Sequence, residues 1–186
     1  MTPITSSVPP CRIVDTRNAG GPIAANTTRS FEVDVAPGGN YVAQGGSNTD
    51  CGIPNDTVDA VTAAAATVTV TQGDGVGYLT AWALGFPQPF ASVINFAIGQ
   101  TIANTTVIPV NPGAGADINV FAGAAGTHVI IDVVGYFAAP IATPLDCTTA
   151  NSPETSVPVN AYTAVDAVCP AGRTATGSRL AKDPGG

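Results

Sequence analysis

The sequence predicts an all-β protein, a disulfide-stapled antiparallel β-sandwich of the jelly-roll-like kind. Apolar and polar residues alternate with the two-residue period of a strand that buries one face, most clearly where Val68 and Val70 alternate with threonines. The 21 glycines and 16 prolines interrupt such runs at short intervals, as in sandwiches and barrels. Helical signals are scarce, because the one helix-favouring run, residues 63–66, lies inside the same alternating stretch.

Strands bounded by turn residues are predicted along the first three-quarters of the chain. They cover residues 12–16, 30–35, 60–71, 77–84, 91–97, 102–110, 117–121 and 127–137. Gly99 and Gln100 form a two-residue loop with glycine first, which suits a type II′ hairpin turn. Pairing outward from this loop predicts that Asn95 lies opposite Asn104.

The composition predicts four parts in chain order. Residues 1–10 form an extended N-terminal arm, and residues 11–137 form the β-sandwich domain. From residue 138 the sequence pattern changes: Pro140 and Pro144 interrupt the apolar and polar alternation, and a separate cysteine pair follows. We therefore expect a linker over residues 138–144 and a small disulfide-closed β-hairpin extension over residues 145–186.

Four cysteines are present, and none has C-x-x-C or zinc-site spacing. Cys11 and Cys51 flank the first part of the chain, and Cys147 and Cys169 bracket its last part. Two disulfides would indicate an extracellular or cell-surface location, and four buried thiols are the alternative. The first ten residues lack the basic start and apolar core of a signal peptide, so export would need a lost leader or another signal.

The charge distribution excludes several classes of partner. Six Lys and Arg residues against 13 Asp and Glu give a net charge of −7, and residues 30–172 contain no Lys or Arg. A nucleic-acid site needs a basic stripe, which this chain cannot build. No apolar run reaches the length of a membrane span. A free monomer normally keeps a charged surface, so the neutral middle of the chain favours a subunit that buries its faces against copies of itself.

The single histidine lies in the stretch GTHVIIDVVGYF. On a strand His128 and Asp132 share one face, but they are about 13 Å apart, whereas a base and its orienting carboxylate need contact near 3 Å. Val133 and Phe137 are expected on the opposite, core face. No nucleophile motif is present. We therefore predict a protein that is not an enzyme, with no catalytic, cofactor-binding or metal-ligating residue.

The stretch CRIVDTR places Asp15 and Arg17 on one strand face. We predict a structural polar hub of Asp15, Arg17, His128 and Asp132, in which Arg17 bonds Asp15, Asp132 or backbone carbonyls. The alternative is a clamp for an anion or carboxylate through Arg17.

The motifs RIVDTR, GYLTAW, FPQPFASVINFAIGQTIANTTVIPV and GTHVIIDVVGYF resemble, in this order, those of a β-rich domain of exported bacterial proteins, notably of actinobacteria. The resemblance covers residues 10–137, about two-thirds of the chain. It implies an extracellular location and an accessory or structural role without chemistry of its own. Asp15, Arg17, His128 and Asp132 match motif positions, which implies a shared architectural role. Cys11, Cys51 and the tail after Phe137 depart from the pattern.

The sequence is compatible with two functions. The first is a non-enzymatic extracellular structural protein, a self-assembling subunit of a bacterial surface filament, fibre or layer, with residues 1–10 and the tail as connectors to a neighbour. The alternative is a glycan- or cell-wall-binding accessory module, which would need exposed aromatic residues.

Overall fold

A computed structural model describes residues 4–54, 60–113 and 115–138, all within the compact unit Met1–Ala142. The predictions for the tail, namely the end of the linker, the C-terminal extension and a disulfide of Cys147 and Cys169, lie outside the described residues. In the described residues the chain forms strands and one short 3-10 helix, Val42–Gln44.

Eight strands are present in the described part of the chain, one for each predicted segment. Their bounds are β1 (Ile4–Asp15), β2 (Thr27–Phe31), β3 (Val61–Thr71), β4 (Gly77–Ala83), β5 (Ile94–Phe96), β6 (Ile102–Pro109), β7 (Ile118–Gly123) and β8 (His128–Ala138). The segment predicted as an extended arm belongs to β1 from Ile4 onward, and it pairs with the end of β8.

The strands form two antiparallel four-stranded sheets. The first has the order β1-β8-β3-β6 and the second the order β2-β7-β4-β5. Alternate residues of each strand point into one shared core: in β3 these include Val68 and Val70, and in β4 and β7 they include Leu79 and Val120. The predicted all-β antiparallel sandwich is confirmed.

One predicted disulfide lies in the described residues and is confirmed. Cys11 in β1 is bonded to Cys51, with a sequence separation of 40 residues. Closing a loop of this length restricts the unfolded chain and contributes roughly 4 kcal/mol to stability by the chain-entropy relation. The bond fixes the long connection between β2 and β3 to the edge of the first sheet.

The hairpin predicted around Gly99 is wrong, because β5 and β6 belong to different sheets. Asn95 lies opposite Tyr78 of β4, and Asn104 lies opposite Val68 of β3. A turn forms one residue earlier than predicted, because the N–H of Gln100 donates to the carbonyl of Ala97 at 3.1 Å and Gly99 is the second central residue, with φ of 66°. The strands on either side of it diverge.

The apolar pattern explains why this hairpin does not form. The predicted register puts Phe96 beside Ala103 and Ile94 beside Thr105 on one face. Ile94 and Phe96 are buried, whereas Ala103 and Thr105 are exposed and Ile108 is buried. A shared sheet would thus have buried a threonine and exposed an isoleucine, and crossing between sheets lets both strands bury their apolar residues.

Strand β8 contains a β-bulge near Val134 that changes the face of its last residues. Val133 and Gly135 lie opposite adjacent residues of β3, so Val134 between them has no pairing partner there. Beyond the bulge Tyr136, rather than Phe137, packs against the core. The prediction that Phe137 shares the core face with Val133 is therefore wrong.

Candidate functional site

Asp15 is the centre of the first polar cluster. It ends β1 and its side chain is 0% exposed. Arg17 binds it with two parallel hydrogen bonds, Nε to Oδ1 at 2.9 Å and Nη2 to Oδ2 at 2.7 Å, and the backbone N–H of Arg17 donates to Oδ1 at 3.1 Å. These hydrogen bonds from Arg17 lower the pKa of Asp15 in spite of its burial. Asp15 is therefore an ionised, fully engaged carboxylate.

Arg12 joins Asp15 to Asp132. Its Nη1 donates to Asp15 Oδ2 at 3.3 Å, while Nε and Nη2 donate to Asp132 Oδ1 and Oδ2 at 2.9 and 3.1 Å. The hydrogen bonds to Asp132 raise the pKa of Arg12. The sequence analysis did not include Arg12, because its role depends on the register that sets it opposite Asp132 across β1 and β8.

His128 lies apart from this cluster. Its Nδ1 is hydrogen-bonded to the hydroxyl of Thr16 at 3.1 Å, and that hydroxyl accepts the backbone N–H of Val129 at 2.9 Å. The structure therefore brings Asp15, Arg17 and Asp132 together through Arg12, and it places the histidine with a threonine instead.

The arrangement of the first cluster limits the chemistry it can perform. Both oxygens of Asp15 are occupied by guanidinium groups, so this carboxylate is not available as a general base. The hydrogen-bonding fork of Arg17 is occupied by Asp15, so an external anion would have to displace an internal carboxylate. The cluster joins the end of β1 to β8 through charge-assisted hydrogen bonds.

A second polar cluster, missed by the sequence analysis, contains two buried carboxyl groups. Asp117 precedes β7 and is 0% exposed, and Asp34 follows β2 and is 4% exposed. Oδ2 of Asp117 accepts the backbone N–H groups of Val33 at 2.7 Å and of Asp34 at 3.2 Å. Burial, followed by the side-chain hydrogen bond with Asp117, raises the pKa of Asp34 to about 7. Below that pH the protonated carboxyl group of Asp34 can therefore donate a hydrogen bond to Asp117.

The groups around the acid pair are neutral or negative. Tyr41 is buried and donates its hydroxyl to the carbonyl of Val33 at 2.5 Å, and burial raises its pKa. Glu32 adds a negative charge near Asp34, and Asp50 adds one near Tyr41. The described arginines bind Asp15, Asp132 and the carbonyls of residues 20–22. A proton and backbone N–H groups therefore stabilise this pair, and its burial keeps substrates away from it.

A shallow surface depression of about 410 Å³ lies on the second sheet. Tyr78 and Asn95 face each other there across β4 and β5, and Tyr78 is 37% exposed. The Tyr78 ring covers Gly123 of β7, and its centroid lies 6.1 Å from that of Phe121. Within the described residues the side chain of Asn95 makes no hydrogen bond, so its amide is available to a ligand.

The outer side of the first sheet carries uncharged, mostly small side chains. We call this surface the neutral face, and it consists of Ala65, Thr67, Thr69, Ala103, Thr105 and Val107. The hydroxyls of Thr67 and Thr105 form one hydrogen bond of 3.0 Å, and Val107 is 53% exposed. Arg12 and Asp132 lie next to the neutral face and neutralise each other.

Among the described residues, no three His, Cys, Asp or Glu side chains lie close enough together to hold a metal ion. A helix long and apolar enough to cross a membrane is not found in the described part of the chain. No protein-family model, curated protein or solved structure matches this chain. The resemblance to β-rich domains of exported bacterial proteins therefore depends on the motifs quoted above.

Proposed function

We propose that the protein is a non-enzymatic, extracellular structural subunit that assembles with copies of itself into a filament, fibre or layer at a bacterial surface. The observation that carries this proposal is the neutral face, a strip of one sheet without an uncompensated charge. The resemblance to exported bacterial domains supports the location, as does the disulfide between Cys11 and Cys51, because such bonds persist in oxidising compartments.

Burying the neutral face against another copy would cost little desolvation. The hydroxyls of Thr67 and Thr105 already bond each other, so only one O–H of this pair needs an acceptor once water is removed. The methyl groups of the exposed Val107 and Ala103 and of the half-buried Ala65 would contribute about 25 cal/mol for each Å² of apolar surface removed from water. A neutral surface suits a packed subunit, whereas a free monomer normally keeps a charged surface.

The polar clusters argue against a catalytic role. Asp15 is engaged by two arginines, His128 is bonded to Thr16, and the pair of Asp34 and Asp117 is enclosed in the protein. Each group that sequence reasoning could offer as a base thus has a structural partner or no access to substrate.

The test is negative-stain microscopy of the purified, non-reduced protein together with sedimentation velocity on the same sample. We expect regular fibres, sheets or discrete oligomers. A single species of 18.4 kDa over a wide concentration range would overturn the proposal.

A second candidate function is a glycan- or cell-wall-binding module, and the depression at Tyr78 favours it. A fixed ring beside the free amide of Asn95 can stack on a sugar and bond its hydroxyls. We expect glycan-array binding that is lost in Tyr78→Ala and kept in Phe90→Ala, a matched removal of an exposed ring elsewhere. Equal binding by both variants, or none by the parent protein, would exclude this site.

A further inference from the structure

The four strands at the sheet edges differ in how well neighbouring chain covers them. Strand β1 is interrupted by Pro9 and Pro10, and its register with β8 shifts twice. The connection that follows β2 also covers β1, because the N–H of Ser47 donates to the carbonyl of Arg12 at 2.8 Å and Cys51 is bonded to this strand. Prolines, bulges and covering loops are the devices that prevent edge-to-edge pairing.

The two edges of the second sheet are also protected. Strand β2 has the loop of residues 20–22 beside it, since Arg29 donates hydrogen bonds to three carbonyls of that loop at 2.9 to 3.0 Å. Strand β5 is only three residues long. Short edge strands offer too few backbone groups for a stable pairing.

Strand β6 has none of these protections. It is eight residues long, its sequence IANTTVIP has no charge, and its proline is the last residue. Its register with β3 is continuous from Ile102 to Pro109. Within the described residues β6 pairs with β3 alone, which leaves its second edge unpaired.

The hydrogen-bonding pattern shows which backbone groups point to this free edge. The N–H of Val110 donates to the carbonyl of Thr62 at 2.9 Å, so residue 110 faces β3. Hydrogen-bonded residues alternate along an antiparallel pair. Even-numbered residues of β6 therefore face β3, and Ala103, Thr105 and Val107 direct their N–H and C=O groups outward. The same three residues carry side chains of the neutral face.

We propose that β6 is a homotypic pairing edge: the β6 strands of two copies of this chain pair antiparallel about Thr105 and join their first sheets into one. This inference rests on the proposed function as a self-assembling subunit and names the contact that assembly uses. In this register Thr105 lies opposite its copy, and Ala103 of each strand lies opposite Val107 of the other.

The partner that pairs with the free edge of β6 is a second copy of this chain, because two antiparallel β6 strands match each other in hydrogen bonds and side-chain size. The outward N–H and C=O groups of Ala103, Thr105 and Val107 meet those of Val107, Thr105 and Ala103 of the partner, so all of them are satisfied. A small side chain then lies beside a branched one, and two threonines meet at the centre. Neither strand brings a charge to the contact. The two-fold axis lies perpendicular to the sheet, so both neutral faces end on the same side.

Such a contact is isologous and closes after two copies. A filament or layer therefore needs a second contact, which the neutral faces form only once the pairing has joined two of them into one surface. The pairing thus defines the building block of the assembly.

The test uses the full chain with three substitutions. Thr105→Lys puts a charge opposite its own copy, and Thr105→Pro removes an outward N–H without removing a hydrogen bond to β3. Thr28→Lys, at an exposed threonine of the protected edge strand β2, is the matched control. We expect sedimentation to show that both Thr105 variants lower the mass to the monomer, and that the parent protein and Thr28→Lys assemble alike.

Amide hydrogen exchange completes the test, with circular dichroism to confirm that each variant is folded. The N–H groups of Ala103, Thr105 and Val107 should exchange slowly in the assembled parent and quickly in monomeric Thr105→Lys. Assembly that survives both Thr105 variants would overturn the edge but leave the proposed function standing. A parent protein that is monomeric would overturn both, and slow exchange at these amides in a monomer would show that another segment of the same chain covers β6.

Discussion

The two buried acidic clusters of this protein solve one physical problem in opposite ways. Asp15 is fully buried and ionised, because Arg17 and Arg12 compensate its charge with hydrogen bonds. Asp34 and Asp117 are also buried, but there the raised pKa of Asp34 keeps a proton on that carboxyl group, which removes its charge. Compensation of the first kind needs cationic side chains, of which the described residues contain few. Compensation of the second kind needs none.

The difference has a consequence for stability. A carboxylate with a lowered pKa stabilises the fold at neutral pH, whereas a carboxyl group with a raised pKa destabilises the fold once it ionises. The chain therefore carries two clusters whose contributions change in opposite directions with pH, and the following measurements separate them.

The largest expected effect is a fall in stability from mildly acidic to neutral pH. The pKa of Asp34 is raised from 3.8 to about 7 in the folded chain. Between these values the folded state holds a proton that the unfolded state has released. The stabilisation of the fold by protonated Asp34 is therefore fully present below pH 4 and is lost as the pH rises to about 7. At about 1.4 kcal/mol for each pH unit, the free energy of unfolding in urea should fall by roughly 3 kcal/mol between pH 4.5 and pH 8.

Asp34→Asn should remove this dependence, because an amide stays neutral at every pH and can still donate to Asp117. Glu32→Gln, a neutralisation next to the pair, is the control and should keep most of the slope. If the free energies of unfolding of Asp34→Asn and of the parent protein fall by the same amount as the pH rises, the proton is not held by Asp34.

The second effect concerns the compensated carboxylate. Asp15→Asn removes acceptors of charge-assisted hydrogen bonds and should lower the free energy of unfolding at pH 7 by about 2–3 kcal/mol. The pKa of Asp15 is lowered in the fold. The difference in unfolding free energy between the parent protein and Asp15→Asn is therefore fully present above pH 4, and it disappears as the pH falls through the folded pKa of Asp15. Asp132→Asn, at the partly exposed partner of Arg12, should cost less than about 1 kcal/mol. Equal losses of unfolding free energy in Asp15→Asn and Asp132→Asn would contradict the expectation that the buried carboxylate contributes more than the partly exposed one.

The smallest effect tests the geometry of Arg17 rather than its charge. Arg17→Lys keeps the positive charge but cannot form the parallel pair of hydrogen bonds to Asp15. The arginine side chain is 41% exposed, so the loss in unfolding free energy should be about 0.5–1 kcal/mol at low salt. The loss should persist at 1 M salt, because the two side chains differ in hydrogen-bond geometry and not in charge. No loss at low salt would show that charge alone matters.

The strands could be predicted from the sequence because each carries its own signal. Val68 and Val70 alternate with threonines, and glycines and prolines end the neighbouring runs. The sheet to which a strand belongs has no such local signal. The turn at Gly99 looks like that of a hairpin, and only the competition of Ile94 and Ile108 for the core shows that its strands must separate.

The polar clusters show the same limit. Asp15 and Arg17 are two residues apart, so their pairing could be anticipated, whereas Arg12 and Asp132 are 120 residues apart and meet only through the strand register. In the stretch FEVDV, apolar residues alternate with acidic ones, which is the pattern of a strand, and a strand is predicted over residues 30–35. Strand β2 ends at Phe31 instead, and the chain then turns Asp34 inward to Asp117.

The position of β8 has a consequence for how the chain is made. The last described strand lies between β1 and β3, inside its sheet rather than at the edge. During synthesis β1 therefore leaves the ribosome long before β8, its strand partner in the described part of the chain, and the pairing of Arg12 with Asp132 spans 120 residues. Contacts of such long range slow folding and lengthen the life of open intermediates. The first sheet can close only after its final strand has emerged.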